Sequence, residues 1–358
     1  NYMVLGDRFI WRKVPPAFLP GKTDTFHFRN PFIRNTDTGM IARIQYGTII
    51  EYNAKGEIVW TWNSENYLAD SDIFPLMFQP MNPTNNHDPH LNAFSVDNAD
   101  EFVYAGFRQI NRVIKIHKKT GKVVNSWGDK MPSGEAATGN GFFYHQHSSQ
   151  ILSNGSIAVF NNGNVAEKEK PSSVVVFSQD TPAKIVWQFD CVYDTFFIKS
   201  SRAGNVDELP NQNFLVSTGT KHMGQGPASS IFEVTRNKKI VWMAVVNKFQ
   251  KALYRAHYIS SLYPAYFTAQ AIGKWQNGKQ QIKLFNEGTE PDLYTVELKF
   301  EGSTINERLF AGTVKPGSSL LLNVSPRILP PASSKMEIRV VSKANSNLVR
   351  TLNIDITK

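Results

Sequence analysis

The fold is decided by residues 113–127, VIKIHKKTGKVVNSW, which hold two short apolar runs on either side of a polar turn. Apolar and polar residues alternate within each run, as they do in a β-strand that buries one face. Lys119, Thr120 and Gly121 supply the turn between the runs. The stretch therefore predicts a β-hairpin that closes on an aromatic residue, Trp127.

The same pattern returns three more times along the chain, in residues 48–62, 174–189 and 231–245. Successive copies are spaced by roughly sixty residues, and a regular repeat of such units is the sequence signature of a propeller, solenoid or array. Helical periodicity is nearly absent. The repeat therefore favours an all-β protein.

A pair of shorter strands precedes three of these hairpins. The pairs are predicted at 90–96 with 101–107, at 147–152 with 156–161, and at 204–209 with 213–218. Each pair and its hairpin make a four-stranded unit, and four-stranded sheets repeated around an axis are the blades of a β-propeller. We predict five or six blades, with a further inner strand at 254–262 and closure by N-terminal strands such as 8–14.

The pattern changes after Tyr263-Pro264. Residues 265–358 lose the blade repeat and show short alternating strands separated by Gly and Pro turns. About ninety residues with this spacing suggest a β-sandwich of the immunoglobulin or fibronectin type. We therefore predict a propeller domain at 1–264 and a β-sandwich domain at 265–358.

Three histidines occupy one position of the repeat. His90, His147 and His257 each open a predicted inner strand, and Gly204 takes that position in the remaining one. The first strand of each blade lines the central channel, so residues at one repeat position converge on the axis. Converging imidazoles can bind a metal ion or act as nucleophile and general acid or base near neutral pH.

Arginines accompany these histidines. Arg108 ends an inner strand, Arg202 precedes Gly204, and Arg255 lies two residues before His257. Guanidinium groups bind oxyanions through paired hydrogen bonds and repel a metal cation. The combination favours an anionic substrate over a metal, and we predict no cofactor.

At these residues the chain resembles the bacterial arylsulfotransferases. The resemblance is carried by three stretches in order: DPHLNAFSVDNADEFVYAGFRQINRVIKIHKKTGKVVNSWG (88–128), HQHSSQILSNGSIAVFNNGN (145–164) and GNVDELPNQNFLV (204–216). It covers about residues 45–264 and identifies the chain as a divergent member with its own C-terminal domain. Asn161 stands where the family pattern has Asp, and the arginine expected a few residues later is missing.

The resemblance implies transfer of a sulfuryl group from a phenolic sulfate ester to a phenol, without a nucleotide donor, through a transient sulfohistidine in the central funnel. It implies catalytic roles for His90 and His147 by motif. His257 is added by repeat position and is our first choice of nucleophile. The residues expected to bind substrate are Arg108, Arg202, Arg255, Asn92 and Lys168, the last as one replacement for the missing arginine.

Two other functions remain open at this stage. One is a non-catalytic binding or adhesion propeller with the sandwich as a spacer, and the other is a metal-dependent propeller enzyme. The formal net charge is +9, but basic residues are scattered, which disfavours a nucleic-acid partner. The chain has no apolar run long enough for a membrane span and begins at Asn1, which suggests a processed product; we expect an exported protein, periplasmic, secreted or at the cell surface.

Overall fold

The computed structural model describes residues 1–19, 32–77, 88–134, 137–164, 166–167, 170–193, 196–223, 229–246, 253–259, 263–302, 306–327 and 335–356. The chain divides into two compact units, Asn1–His257 and Tyr258–Lys358. The division falls seven residues before position 264, the boundary expected from the sequence. Both units are built almost entirely of antiparallel strands.

The first unit contains four four-stranded sheets, which follow one another along the chain. The first holds β1 (Tyr2–Lys13), β2 (Ile33–Thr36), β3 (Gly39–Tyr52) and β4 (Ile58–Asn63), with β3 between β1 on one side and β2 and β4 on the other. The long pairing of β1 with β3 runs from Tyr2 opposite Tyr52 to Lys13 opposite Ile41. The N-terminal stretch thus joins a sheet, as the sequence predicted for 8–14.

The other three sheets are meanders in which each strand pairs with the next. The second sheet holds β5 (Leu91–Val96), β6 (Phe102–Phe107), β7 (Arg112–His117) and β8 (Val123–Gly128); the third holds β9 (His147–Ile151), β10 (Ile157–Asn161), β11 (Ser173–Phe177) and β12 (Ile185–Asp190). A two-stranded pair follows, β13 (Val192–Tyr193) with β14 (Phe196–Phe197). The fourth sheet holds β15 (Lys199–Glu208), β16 (Phe214–Met223), β17 (Ser229–Val234) and β18 (Ile240–Val246). These strands match the predicted hairpins and strand pairs, and the four sheets are consistent with propeller blades.

Consecutive sheets share buried cores. Ile49 of the first sheet packs with Val103 and Phe107 of the second, Tyr104 and Trp127 of the second pack with Phe177 of the third, and the third and fourth sheets share a core around Phe160, Val206 and Phe232. The central strands β6, β7, β10 and β11 therefore bury side chains on both faces, which explains their apolar runs in the sequence.

The inner strands β5, β9 and β15 stand side by side, joined by side chains. Ser95 of β5 accepts a hydrogen bond from the Ile151 N–H of β9 at 3.0 Å, and Ser148 of β9 donates to the Val206 carbonyl of β15 at 3.2 Å. The segment 253–259 continues the series, because the Gly204 N–H donates to the Tyr254 carbonyl at 3.2 Å. This segment has no regular strand pairing within its described part, although the sequence predicted an inner strand at 254–262.

The second unit holds two sheets around a common core. One contains β19 (Phe267–Gln276), β20 (Lys279–Asn286) and β23 (Ser319–Val324); the other contains β21 (Asp292–Phe300), β22 (Asn306–Val314), β24 (Lys335–Ser342) and β25 (Val349–Asp355). Phe267 and Leu284 of the first sheet pack with Tyr294 and Ile338 of the second. The alternating runs of the sequence predict five of these strands, at 281–285, 293–300, 319–324, 336–341 and 349–356, and do not predict β19 and β22.

Helix is rare in the described ranges, where one α-helix, α1 (Asp70–Met77), and two short 3-10 turns, Pro16–Phe18 and Ser64–Asn66, occur. None of the helices described is long and apolar enough to cross a membrane.

Candidate functional site

Each inner strand is irregular at its beginning. The pairing register skips Asn92 in β5, Ser148 in β9 and Ser201 in β15. Left-handed backbone angles occur at the same places, with φ of 59° at His90, 55° at Ser148 and 58° at Ala203. Bulges re-aim side chains, and strained backbone of this kind is concentrated at functional sites. The three bulges therefore define one end of the inner strands as the candidate site.

His147 is buried here, and both ring nitrogens have partners. Its Nδ1 lies 2.7 Å from Asn162 Oδ1, and its Nε2 accepts a hydrogen bond from the Ala203 N–H at 3.2 Å. Asn162 uses its amide nitrogen to donate to the carbonyls of Ser200 and Ala203, so its oxygen must be the acceptor and the proton lies on Nδ1 of His147. Burial, with help from Arg108, His90 and Arg255, lowers the pKa of His147 to about 3, against the opposing effect of the hydrogen bond that its Nδ1–H donates to Asn162. His147 is therefore neutral near pH 7.

His90 lies at the same end and keeps one nitrogen available. Its Nδ1 is 3.3 Å from Asp88 Oδ1, and its carbonyl accepts from the Arg108 N–H at 2.9 Å. No described residue bonds to its Nε2, and the side chain is 38% exposed. The carboxylate favours a proton on Nδ1, which leaves the lone pair of Nε2 pointing away from Asp88.

His257 lies elsewhere along β15. Its Nδ1 is 2.6 Å from Asp207 Oδ2, and the side chain is 55% exposed. Asp207 follows Ala203 by four residues, which at the rise of a β-strand is about 13 Å. His257 is therefore beside Asp207, and it is His90 that acts electrostatically on His147.

Two of the predicted arginines are neighbours. Arg108 is half-buried and donates to the Ser201 carbonyl at 3.3 Å, while Arg202 next to it is exposed. Burial lowers the pKa of Arg108, and the charge of Arg202 lowers it further. Two like charges that interact in this way destabilise each other unless an anion lies close to both.

Arg255 reaches β5 from the segment 253–259. Its Nη2 donates to the Asn92 carbonyl, and its guanidinium lies 5.4 Å from the ring centroid of Tyr254. Asn92 is buried, donates through Nδ2 to the Gln146 carbonyl at 2.9 Å, and leaves its Oδ1 without a partner among the described residues. Tyr254 stands edge-on to His147 with ring centroids 6.4 Å apart. These contacts bring Arg255 and Asn92 to the end of the strands where His90 and His147 lie.

Lys168, the remaining predicted residue, lies outside the described residues. The structure adds a lysine that the sequence analysis did not single out: Lys199, at the start of β15, is 5% exposed and donates to the Asn164 carbonyl at 3.2 Å. His145, which the sequence offered only as a neighbour of His147, lies within the electrostatic influence of both Arg108 and Lys199. The sequence marks Lys199 only as a single lysine at the start of β15.

Asn162 was also missed. It is 1% exposed and joins the ends of β9, β10 and β15 through His147, Ser200 and Ala203. Ser172 Oγ donates to its carbonyl at 3.1 Å. Its place in Asn161-Asn162-Gly163 reads as a turn in the sequence, so its role depends on contacts that only the fold creates.

The cations at this end have no carboxylate within salt-bridge distance in the ranges that the structure describes. This holds for the set that we call the cationic cluster: Arg108, Lys199, Arg202 and Arg255. The described residues also contain no group of three His, Cys, Asp or Glu side chains placed to hold a metal ion. Three of these cations, Arg108, Lys199 and Arg255, are buried or half-buried, and such charges without counter-ions favour the binding of an anion.

A comparison with protein families gives a match over residues 34–255, more than half of the chain, to the family described as arylsulfotransferase. The chain belongs to the arylsulfotransferase family. The matched region includes His90, Arg108, His147, Arg202 and Arg255 and ends two residues before His257. Membership supports an arylsulfotransferase activity in general, with an aryl sulfate as donor and a phenol as acceptor.

No curated protein matches the chain. One similar solved structure is hydrazine synthase of Kuenenia stuttgartiensis, which is 9% identical, covers 75% of this chain and 67% of its own, and has a TM-score of 0.31. Another is the β-propeller domain of Cps50 (Swd1) from Myceliophteria thermophila, which is 7% identical, covers 87% of this chain and 82% of its own, and has a TM-score of 0.33. A third is an endo-arabinase from Bacteroides thetaiotaomicron, which is 9% identical, covers 75% of this chain and 94% of its own, and has a TM-score of 0.27. Identities and TM-scores this low support no inference about function.

Proposed function

We propose that this arylsulfotransferase moves a sulfuryl group from a phenolic sulfate ester to a phenol, without a nucleotide donor, through a transient sulfohistidine at His90. The observation that carries the proposal is the cationic cluster, which has no described counter-ion and lies beside a histidine with a free Nε2. Such a site suits an ester whose charge is spread over three sulfuryl oxygens.

In the first step, the Nε2 lone pair of His90 attacks sulfur and the bond from sulfur to the aryl oxygen breaks. The phenolate leaves with that electron pair, and the imidazole ring gains positive charge. Asp88, 3.3 Å from Nδ1, offsets this charge. In the second step, the acceptor phenol attacks the sulfuryl group, the N–S bond breaks and His90 returns to its neutral form; the acceptor proton balances the phenolate released first.

The choice of His90 over His257 is based on charge. His257 also has a carboxylate on Nδ1 and no described partner on Nε2, but it lies beside Asp207 and Asn205, four and two residues along β15 from Ala203 or about 13 and 7 Å. His90 is the one coupled electrostatically to His147 together with Arg108 and Arg255. His257 therefore becomes our second choice of nucleophile.

His147 has a positioning role in this proposal. Its lone pair is directed at the Ala203 N–H and its proton at Asn162, so it joins β9 to the strained start of β15. Because its pKa is about 3, it adds no positive charge near pH 7 and does not repel the cations beside it. It keeps Ala203, and with it the neighbouring Arg202, in place.

The architecture proposed for this function is the one expected from the sequence. We propose that the four-stranded sheets of the first unit belong to a propeller of five or six blades and that the two sheets of the second unit form a β-sandwich. The shared cores of consecutive sheets and of the two C-terminal sheets support both. We also propose that the protein works after export.

The test is release of nitrophenol from 4-nitrophenyl sulfate in the presence of a phenol acceptor. Loss of a nucleophile costs several orders of magnitude, so His90→Ala should lower kcat by about a thousand-fold. His117→Ala is the matched control, because His117 lies at the end of β7 near Glu101 and this variant should keep the activity of the unmodified protein. Loss in His257→Ala alone would transfer the role to His257, and absence of release by the unmodified protein from a range of aryl sulfates would refute the function.

A further inference from the structure

Three outer strands of the first unit begin with the same tripeptide, Ile-Val-Trp. It opens β4, β12 and β18, at 58–60, 185–187 and 240–242. Trp60 and Trp187 are half-buried, but Trp242 is 51% exposed, and no residue in the described ranges accepts a hydrogen bond from its indole N–H. An indole that is half-buried in two copies of a motif and exposed in the third indicates a surface that a partner covers.

The two half-buried tryptophans bind the same kind of element, a hairpin turn of the next sheet. Trp60 Nε1 donates to the Lys118 carbonyl in the β7–β8 turn at 2.8 Å. Trp187 Nε1 donates to the Arg236 carbonyl in the β17–β18 turn, also at 2.8 Å. The partner that suits the exposed indole of Trp242 is therefore a β-hairpin turn that presents a backbone carbonyl.

A glutamate lies opposite the tryptophan on the neighbouring strand in two of the three sheets. Glu51 faces Trp60, and Glu233 faces Trp242. One oxygen of Glu51, Oε1, accepts a hydrogen bond from the Asn1 amide at 2.8 Å, and the other, Oε2, lies 2.9 Å from Nζ of Lys118. The first sheet thus holds Lys118 by its backbone carbonyl and by its ammonium group.

Glu233 repeats this arrangement up to the missing lysine. Its Oε1 accepts hydrogen bonds from the amides of Asn213 at 2.6 Å and Asn211 at 2.9 Å, which lower its pKa. Its Oε2 has no bond to any residue that the structure describes. Glu233 is therefore a carboxylate near pH 7 with one oxygen available for a cation, next to the available N–H of Trp242. The pair has the same donor and acceptor as the site that holds Lys118.

The chain carries a matching turn at the other end of its series of sheets. In the β3–β4 turn, Ala54 directly follows the residue whose carbonyl closes the turn, as Arg236 does in the β17–β18 turn. Ala54 and Lys55 are exposed, and the Ala54 carbonyl accepts no hydrogen bond within the described ranges. The first sheet shares a core with the second and the fourth shares one with the third, so this turn and β18 belong to opposite ends of the series.

We propose that β18 is an interface for a second copy of this chain, whose β3–β4 turn docks on Trp242 and Glu233. The Ala54 carbonyl of the second copy accepts the indole N–H, and the ammonium group of its Lys55 pairs with Oε2 of Glu233. The two surfaces differ, so the contact is head to tail and builds a ring or a row of copies. The inference does not depend on the proposed sulfuryl transfer.

The test is sedimentation velocity of the full chain over a range of concentrations. The unmodified protein should self-associate, and Trp242→Ser or Lys55→Glu should each weaken this association by about thirty-fold, as expected for a central interface contact. Two control variants, Val186→Ser and Lys184→Glu, change exposed residues of the third sheet and should associate as the unmodified protein does. Circular dichroism checks that each variant is folded.

Two further arms test the head-to-tail geometry. Trp242→Ser keeps an intact turn and Lys55→Glu keeps an intact β18 surface, so a mixture of the two should form a one-to-one complex that neither forms alone. Glu233→Lys should weaken self-association, and its combination with Lys55→Glu in one chain should restore it. A monomeric unmodified protein would overturn the proposal, and so would self-association that Trp242→Ser leaves unchanged or a mixture that forms no complex.

Discussion

His147 shows how burial determines the chemistry of a residue. The sequence offered it as a catalytic imidazole, and the structure surrounds it with Asn162, Ala203 and three cationic or imidazole groups. Its lowered pKa means that the folded protein keeps it neutral while the unfolded chain protonates it below its ordinary pKa near 6.5.

This difference predicts a pH dependence of stability. Between about pH 6.5 and pH 3 the unfolded state binds a proton that the folded state does not, so stability falls as the pH falls. At pH 5 the share of His147 in this loss is about 2 kcal/mol relative to pH 7.5. The measurement is urea unfolding at both pH values for the unmodified protein and for His147→Gln, whose stability should fall less over this interval. Equal losses in the two proteins would contradict the assignment.

Other roles at the residue level could not be read from the sequence. Asn162 and Lys199 acquire theirs from strands that lie tens of residues away, as the bonds of Asn162 to Ser200 and Ala203 show. His90 was predicted as a site residue because its repeat position is visible in the sequence. Its advantage over His257 was not visible, since that depends on how far along β15 each partner lies.

Among the strands, the bulges at Asn92, Ser148 and Ser201 distort the beginnings of β5, β9 and β15, where the candidate site lies. Gly204 follows one of them, with φ of 113°, and a Cβ there would lie 2.4 Å from the ring of Phe160. The glycine thus allows β15 to pack closely on β10. The strands themselves were predictable because each alternates apolar and polar residues, but the bulges were not, since one extra residue leaves almost no trace in that alternation.

The close approach at Gly204 predicts a steric penalty beyond that of backbone angle. Gly155 is the matched control, because its φ is 82° and a Cβ there would meet nothing within 4 Å. Both glycines have a positive φ that disfavours alanine, so both variants carry a backbone penalty. Only Gly204→Ala adds a clash with the Phe160 ring, and it should therefore destabilise the fold by about 1–3 kcal/mol more than Gly155→Ala. Urea unfolding of both variants measures the difference. Similar losses would mean that the Phe160 ring moves aside at no cost.

For the whole molecule, the repeat in the sequence predicted the second, third and fourth sheets of the first unit in full, but only the hairpin at 48–62 and an N-terminal strand of the first. The shared cores follow from it, because strands with two apolar faces must pack against a sheet on each side. Residues 254–262 were predicted as a strand, but their described part, 254–259, has no regular pairing, since the hydrogen bond that the Tyr254 carbonyl accepts from Gly204 is not continued as a ladder. Blade number stays a prediction.

The cationic cluster depends on the fold of the whole first unit. Arg108, Arg255 and the β15 residues Lys199 and Arg202 come from three parts of the chain and lie where the inner strands begin. The sequence showed three of them beside the histidines, and the fold brings the fourth. The proposed sulfuryl transfer requires this cluster to hold a sulfate ester against His90.

The most direct test of that claim is a rapidly quenched reaction with 4-nitrophenyl sulfate and no acceptor, followed by peptide mass spectrometry at alkaline pH, where a sulfohistidine survives. The account predicts a sulfuryl group on the peptide that contains His90, and its disappearance when a phenol is added. A sulfuryl group on the His147 or His257 peptide instead, or turnover with no modified histidine at all, would contradict it.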